Sequence, residues 1–408
     1  MTPKSDDTML HQNKTMVRTY WKSVIAAVIA TFAAVTPVFT VGALTSSITK
    51  SLRINTETLG IALACFFAFT AIGSPFSTRV TQRLTPVLQL TISTFLAGFG
   101  LIGLSGISHI GLCILLLIVS GFANSLVQPA VGRILSAVPK YRLSFKSGLV
   151  QAALGAGTLP AFLLLQYVAE PYGWRAAFKV GGVIVLLSSI VVFVLVCRSG
   201  TKFVTKATDA FCQMKELNRS VTRSLRFWTL GAALGTVGVT GISSFLIPIA
   251  IYQGFSISIA ASLALTISGL VALNRIVVGL VSDKYPNYNI IQIVGMMLLG
   301  TTGLFMISFR VLSLFLAGSF VVVIGLFGWN GLLVATALRL LPISPEKILG
   351  WLQVGVFTGA TMAPMVFGIL MSVVGVQCAI LATAVCAVVG AFMIMFGEIC
   401  RRRKKQNQ

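Results

Sequence analysis

Apolar residues form long uninterrupted runs along this chain. Nine segments of 18 to 50 residues contain no Asp, Glu, Lys or Arg. An α-helix rises 1.5 Å per residue, so about 20 apolar residues cross the ~30 Å hydrocarbon core of a bilayer. Six runs therefore fit one crossing each and the three longest fit two. The nine runs are 23–49, 58–78, 84–132, 147–169, 180–197, 227–274, 285–309, 311–338 and 348–397.

Each of the three longest runs contains a turn-like break near its middle. These breaks are Ser105–His109, Tyr252–Ser258 and Val373–Gln377. Six single and three double runs predict an all-α integral membrane protein with twelve transmembrane helices. The runs are far longer than the ~10-residue alternating strands of a membrane barrel, which excludes that class.

Lys and Arg are concentrated on one predicted side of the membrane. If both termini lie on the same side, 26 of the 31 basic residues fall on that side and five on the other. Because basic loops stay in the cytoplasm, this predicts an N-in/C-in orientation in the inner or plasma membrane. The net charge of +22 is then a consequence of topology, and we expect no nucleic-acid partner.

Composition excludes several other classes. Charged residues make up 10% of the chain, against roughly 25% in soluble domains, and 56% of residues are hydrophobic. Such a chain is neither soluble nor disordered. Seven scattered cysteines show neither a disulfide framework nor a paired metal-ligand spacing, and two His with nine acidic residues argue against a soluble metalloenzyme. We expect no enzyme activity, no catalytic residue, no metal and no cofactor.

The two halves of the chain repeat one another. The motif Gly148-x-x-Gln151 with Gly157 recurs as Gly350-x-x-Gln353 with Gly359, each shifted by 202 residues. Gln82-Arg83 recurs as Asp283-Lys284 with a shift of 201, and Pro139 as Pro342 with a shift of 203. Shared offsets in matching places indicate two six-helix pseudo-repeats. An even number of helices in each half makes the repeats parallel, as in transporters that rock two bundles about a central site.

The repeat and the charge pattern divide the chain into five segments. The predicted segments are a cytoplasmic tail (1–22), an N-terminal six-helix bundle (23–197), a basic cytoplasmic linker (198–226), a C-terminal six-helix bundle (227–398) and a basic tail (399–408).

One loop carries a recognisable motif. Gly279-Leu280-Val281-Ser282-Asp283-Lys284 resembles the Gly-x-x-x-Asp-Arg/Lys signature of the major facilitator superfamily, and 173–178 resembles its Gly-Trp-Arg-x-x-Phe motif. The first copy of the loop signature, 78–83, lacks its Gly and Asp. The resemblance implies the twelve-helix fold of that family and transport of a small-molecule substrate by alternating access. We expect a monomer in the lipid bilayer.

The signature loops and the inner helix ends contain the predicted gate. Gly279 would allow two helices to approach closely, and Asp283 would accept hydrogen bonds at a helix N-terminus. The contact made by the first signature copy would be weaker, because Gln82 carries no charge. The alternative is that these residues only cap turns, and that the arginines closing spans four and ten are interfacial anchors. The gate candidates are Gly279, Asp283, Lys284, Gln82, Arg83, Arg133, Arg339, Gln151 and Gln353.

None of the nine acidic residues lies deep in a span. This argues against a buried carboxylate as a proton relay and against a cationic substrate. Arg275, with Asn274, lies eight residues before Asp283, about 12 Å inward along a helix. A buried guanidinium can bind a carboxylate through two hydrogen bonds. The position also resembles the span-eight arginine of monocarboxylate and oxalate/formate carriers, although a structural role stays open.

In the resembled family, spans one, four, seven and ten line the cavity. A mid-membrane amide is costly unless paired, so the polar residues of these spans are candidates for either the site or helix packing. With Arg275, the substrate-binding candidates are Thr36, Thr40, Asn124, Gln128, Thr240, Ser243, Trp329 and Asn330.

Two functional hypotheses follow. The first is a secondary active transporter of a small organic anion such as a carboxylate, with protons as a candidate coupling ion. The second is an exporter of neutral or lipophilic compounds, as in the cyanate/nitroimidazole branch that the compact helices also resemble. A non-transporting sensor with the same fold is a third class, but no signalling module is recognisable in the loops.

Overall fold

The structure, a computed structural model, describes residues 4–137, 142–197, 219–341 and 344–402. All regular secondary structure within these ranges is helical, and twelve helical segments are long and apolar enough to cross a membrane. This confirms the predicted twelve-span architecture. Which side faces the cytoplasm stays a prediction. We call the end of the bundle that carries the basic segments the inner end.

The helices follow one another with short connections, apart from the segment between the halves. They are α1 (Lys4–Ala43), α2 (Thr45–Leu52), α3 (Thr56–Arg83), α4 (Pro86–Ser105), α5 (Ile110–Ser125), α6 (Val127–Ala137), α7 (Leu143–Gly155), α8 (Thr158–Leu164), α9 (Glu170–Tyr172), α10 (Trp174–Cys197), α11 (Arg219–Tyr252), α12 (Ile257–Ser282), α13 (Asn289–Ser308), α14 (Leu312–Leu326), α15 (Trp329–Leu340), α16 (Pro345–Val373) and α17 (Val376–Arg402). A π-helical turn (Leu165–Ala169) and a 3-10 turn (Pro286–Tyr288) complete the set.

All three predicted breaks in the longest runs separate two helices. α4 ends at Ser105 and α5 begins at Ile110, and the other breaks lie between α11 and α12 and between α16 and α17. Ser256 caps α12 by accepting a hydrogen bond from an amide of its first turn. Gly254 and Gly375 adopt φ values of 100° and 90°, a conformation that glycine accepts without strain.

Helix α1 begins within the predicted N-terminal tail, and α11 begins within the predicted linker 198–226. Residues 198–218 of that linker lie outside the described residues, as do Pro139 and Pro342.

Spans four and ten are each built from two helices, and span five is built from α7, α8, the π-helical turn and α9. The sequence pattern did not predict these interruptions. Span four is interrupted at Leu126, span five at Ala156–Gly157 and span ten at Phe327–Gly328. At such interruptions backbone carbonyls lose their helical partners and can bind side chains or solutes.

Buried apolar side chains form three cores. The inner core contains residues of both halves, for example Ile134 of α6 and Leu349 of α16. A second core, around Phe66, lies within the N-terminal half, and a third, around Phe315, lies within the C-terminal half. In the described part of the chain, the halves therefore share a core at the inner end and have separate cores towards the outer end.

Candidate functional site

Asp283, which follows α12 in the C-terminal half, binds the first turn of α7 in the N-terminal half. Its carboxylate accepts hydrogen bonds from the backbone amides of Ser144 at 2.9 Å and Phe145 at 2.8 Å. The first amides of a helix lack helical partners and carry partial positive charge, which a carboxylate neutralises. Asp283 thus holds the two halves together at the helix N-terminus that its predicted role requires.

Arg339, at the end of α15, completes this cluster. Its guanidinium pairs with the Asp283 carboxylate at 2.7 Å and donates to the Ser144 hydroxyl at 3.0 Å. The two charged side chains are only 15% and 9% exposed, so water screens the pair weakly. The adjacent Lys284 is exposed. We call Asp283, Arg339 and Ser144 the inner latch.

Glycines bring α7 into direct backbone contact with α12 and α15. A Cβ at Gly279 would lie 2.6 Å from the Ser144 carbonyl oxygen, and one at Gly331 would lie 3.1 Å from the Cα of Gly148. At this separation the Ser147 hydroxyl donates to the Gly331 carbonyl at 2.7 Å. The close approach expected of Gly279 is therefore made with α7.

Three buried amide side chains form a chain across the two halves. Asn330 Nδ2 donates to Gln151 Oε1 at 3.3 Å, and Gln151 Nε2 donates to Gln128 Oε1 at 3.2 Å. All three side chains are buried. The structure thus places Gln151, predicted as a gate residue, beside two residues predicted to bind substrate. We call these three residues the amide chain.

Arg275 is buried between α12, α7 and the interruption of span ten. Its Nε donates to the Phe327 carbonyl at 2.9 Å, and Nη1 donates to the Gln151 carbonyl. A Cβ at Gly155 would lie 2.9 Å from Nη1, so the guanidinium packs against the end of α7. None of the three ion pairs among the described residues includes Arg275. In this part of the chain, backbone carbonyls are its hydrogen-bond acceptors.

Residues predicted to bind substrate on spans one and four are buried and bonded within the N-terminal half. The hydroxyls of Thr36 and Thr40 donate to carbonyls one turn earlier on α1, at 3.0 and 2.8 Å. Asn124 Nδ2 donates to the Thr70 hydroxyl of α3 at 3.4 Å. These bonds satisfy the polar groups internally, and a role in binding substrate stays a prediction.

The candidates on spans seven and ten differ in exposure. Thr240 is half-buried, whereas Ser243 is exposed and donates to the Val239 carbonyl. Trp329 is buried, and its ring packs on Gly235 of α11. Its indole N–H has no hydrogen-bond partner within the described residues. The structure therefore places the Trp329 ring against its own half.

The first signature copy is arranged differently from the second. Arg133, in the second half of α6, donates to the carbonyls of Thr81 and Leu84 and so caps the end of α3. Arg83 is exposed. The side chain of Gln82 lies outside the described residues.

Helix α16 meets the N-terminal half through close packing. A Cβ at Gly350 would lie 2.6 Å from the Thr78 methyl group, and the rings of Phe357 and Phe67 stack with centroids 6.3 Å apart. Gln353 lies between these contacts on α16 and is fully buried. Among the residues that the structure describes, neither Oε1 nor Nε2 of Gln353 has a hydrogen-bond partner.

Sequence reasoning missed the hydroxyls that complete these clusters. Ser144 joins the inner latch, Ser147 bridges α7 to α15, and Thr70 accepts from Asn124. Ser147 directly precedes Gly148 of the repeated motif, which is the signal that could have identified it. No sequence motif identifies Thr70, because its partner Asn124 is distant in sequence.

Comparison with known proteins agrees with this architecture. A sequence profile of the Major Facilitator Superfamily matches residues 27–344. No curated protein sequence matches the chain significantly.

Solved structures share the fold at low sequence identity. The proton:xylose symporter XylE bound to 6-bromo-6-deoxy-D-glucose is similar with a TM-score of 0.76 and 13% identity, covering 92% of this chain and 95% of that one. The E. coli fucose:proton symporter FucP is similar with a TM-score of 0.69 and 14% identity, covering 90% of this chain and 98% of that one. FucP in the outward conformation is similar with a TM-score of 0.63 and 14% identity, covering 91% of this chain and 99% of that one. At these identities the likeness concerns the fold alone.

Proposed function

This chain belongs to the major facilitator superfamily, and we propose that it is a secondary active transporter that moves a small organic anion by alternating access. The anion would be of the carboxylate class. Its site would lie beside Arg275 and the amide chain, where Arg275 bridges α7 and the interruption of span ten.

The uncompensated charge of Arg275 carries this proposal. Arg275 is buried, its guanidinium is bonded to two backbone carbonyls, and no ion pair among the described residues includes it. Carbonyl dipoles solvate a cation but leave its net charge in place. In a medium of low dielectric constant that charge favours a nearby anion.

The arrangement of the halves supports the alternating-access mechanism. The latch, the amide chain and the inner core all join the halves at or near the inner end. Opening a path to the inner side requires these contacts to separate, while the separate outer cores can keep their own packing.

Protons are the candidate coupling ion. Both XylE and FucP are named as proton symporters. In this chain a carboxylate substrate could carry its own proton, so the mechanism requires no intramembrane carboxylate.

A neutral polar solute is the second candidate. The amide chain consists of neutral donors and acceptors, which suit hydroxyl or carbonyl groups as well as carboxylates. Under this alternative, Arg275 would only hold α12, α7 and span ten together.

Ligand-induced thermal stabilisation separates the two candidates. The purified chain in lipid nanodiscs would be heated with a panel of small carboxylates, neutral solutes and organic cations. A ligand at ~100 Kd should add about 2.7 kcal/mol to the stability of the native state. The same panel would be applied to Arg275→Gln and to Arg226→Gln, which removes an equal charge from an exposed position.

We expect a carboxylate to raise the melting temperature of the wild type and of Arg226→Gln, but not that of Arg275→Gln. Stabilisation of all three proteins by a neutral solute, with no effect of any carboxylate, would contradict the anion proposal and favour the alternative.

A further inference from the structure

The glutamines Gln151 and Gln353 occupy equivalent positions of the two repeats, yet the structure satisfies only one of them. Their positions differ by 202 residues, and so do those of Gln128 and Asn330. Gln151 uses both amide atoms, because it accepts from Asn330 and donates to Gln128. Gln353 uses neither, although it is fully buried.

Apolar contacts on both sides hold Gln353 in place. Leu349 and Phe357 lie one turn before and one turn after it, on the same face of α16. Leu349 packs near Gly132 of α6, and Phe357 stacks on Phe67 of α3. Gln353 is thus enclosed between two contacts with the other half, and its amide atoms are essentially inaccessible to water.

The repeat also explains why Gln353 lacks the support that Gln151 has. Arg275 donates to the Gln151 carbonyl, and at the shift of 201 that relates spans two and eight the residue equivalent to Arg275 is Ser74. Ser74 has a short side chain, and its hydroxyl donates to the Thr70 carbonyl of its own helix α3. The polar cluster around Gln151 is therefore not reproduced around Gln353.

A buried amide without partners destabilises the state that buries it, whereas a bonded amide stabilises its state relative to one in which the bonds are broken. We propose that Gln151 and Gln353 act in opposite directions on the closure of the inner end. Gln151 favours the closed arrangement, and Gln353 favours separation of the halves, which returns its amide to water or to polar partners. This inference rests on the proposed alternating access, in which the inner end opens and closes.

Hydrogen exchange tests the proposal without any substrate. The full chain in nanodiscs would be compared with Gln353→Met and Gln151→Met, since Met matches Gln in length and lacks its hydrogen-bonding groups. Gln166→Met is the matched control, because Gln166 is exposed on the outer part of span five. Exchange would be followed by mass spectrometry in the amides of α7 and of the first half of α16.

We expect Gln353→Met to slow exchange in both segments by about fivefold to thirtyfold, and Gln151→Met to accelerate it by a similar factor. Gln166→Met should leave it unchanged. We also expect Gln353→Met to raise the melting temperature, which shows that the variant folds. Unchanged or faster exchange in Gln353→Met, or slower exchange in Gln151→Met, would overturn the proposal. A ligand panel that fails to identify an anion would leave this test unaffected.

Discussion

Helices α7 and α16 are repeat-related and both close the inner end, but different chemistry holds each of them. The N-terminal amides of α7 donate hydrogen bonds to the Asp283 carboxylate, and this carboxylate also forms an ion pair with Arg339. At the start of α16 the N-cap hydroxyl of Ser344 is buried and has no hydrogen-bond partner among the described residues, and Glu346 lies in the first turn. Duplication therefore preserved the packing of the two helices and let their polar contacts diverge.

The difference has a mechanical consequence. Hydrogen bonds and ion pairs depend on direction and are lost when the helices separate, whereas apolar side chains can slide while they stay in contact. We therefore expect substitutions at the α7 interface to weaken closure of the inner end more than substitutions at equivalent positions of the α16 interface.

The largest effect is expected for Asp283→Asn. The amide keeps the shape of the side chain, but it removes the charge that binds the α7 amides and leaves Arg339 without its partner. Breaking such a shielded pair costs on the order of 3 kcal/mol. Hydrogen exchange in α7 should then rise by about a hundredfold.

The matched control for this variant is Lys284→Gln, which removes the exposed charge next in sequence and should change stability by less than about 0.5 kcal/mol. Equal effects of the two substitutions would mean that the inner latch does not hold the halves together.

An intermediate effect is expected for Gly148→Ala, measured against Gly350→Ala. The Cβ added at position 148 would meet the backbone carbonyl of Arg275, which cannot move without shifting α12. The Cβ added at position 350 would meet the Thr78 methyl group, which a side chain can withdraw. Overpacking at position 148 should lower the free energy of unfolding by about 1–3 kcal/mol.

Thermal unfolding of the two variants in the same detergent would give the comparison. A larger loss of stability for Gly350→Ala than for Gly148→Ala would show that the α16 interface is the tighter of the two.

The smallest effect is expected for Glu346→Gln. This buried carboxylate lies in the first turn of α16, where a negative charge interacts favourably with the helix N-terminus by up to about 2 kcal/mol. Exchange of the first α16 amides should rise no more than about thirtyfold. An increase as large as that for Asp283→Asn would mean that the two helix N-termini depend equally on their acids.

The sequence alone predicts the membrane spans but does not predict the contacts between them. Charge-free runs and turn signals such as Gly254 and Gly375 identify the twelve helices, since the bilayer sets their length. The interruptions at Leu126 and Phe327–Gly328 are not visible in hydropathy, because both sides of each break are equally apolar.

The candidate site shows the same limit. The repeat relates Gln151 to Gln353, but pattern alone cannot show that Gln151 bonds to Asn330, 179 residues away. Nor can it show that the amide of Gln353 has no hydrogen-bond partner in the described part of the chain. Likewise the position of Arg275 in span eight is evident from the sequence, whereas its bond to the interruption of span ten depends on tertiary packing.

Uptake of isotopically labelled carboxylates into proteoliposomes most directly tests whether the Arg275 charge selects the substrate. The wild type and Arg226→Gln should accumulate at least one carboxylate, and an inward proton gradient should increase that uptake. Arg275→Lys, which keeps the charge, should retain part of the activity, and Arg275→Gln should lose it. Carboxylate uptake by Arg275→Gln at the wild-type rate, or uptake of neutral solutes alone, would contradict the anion assignment.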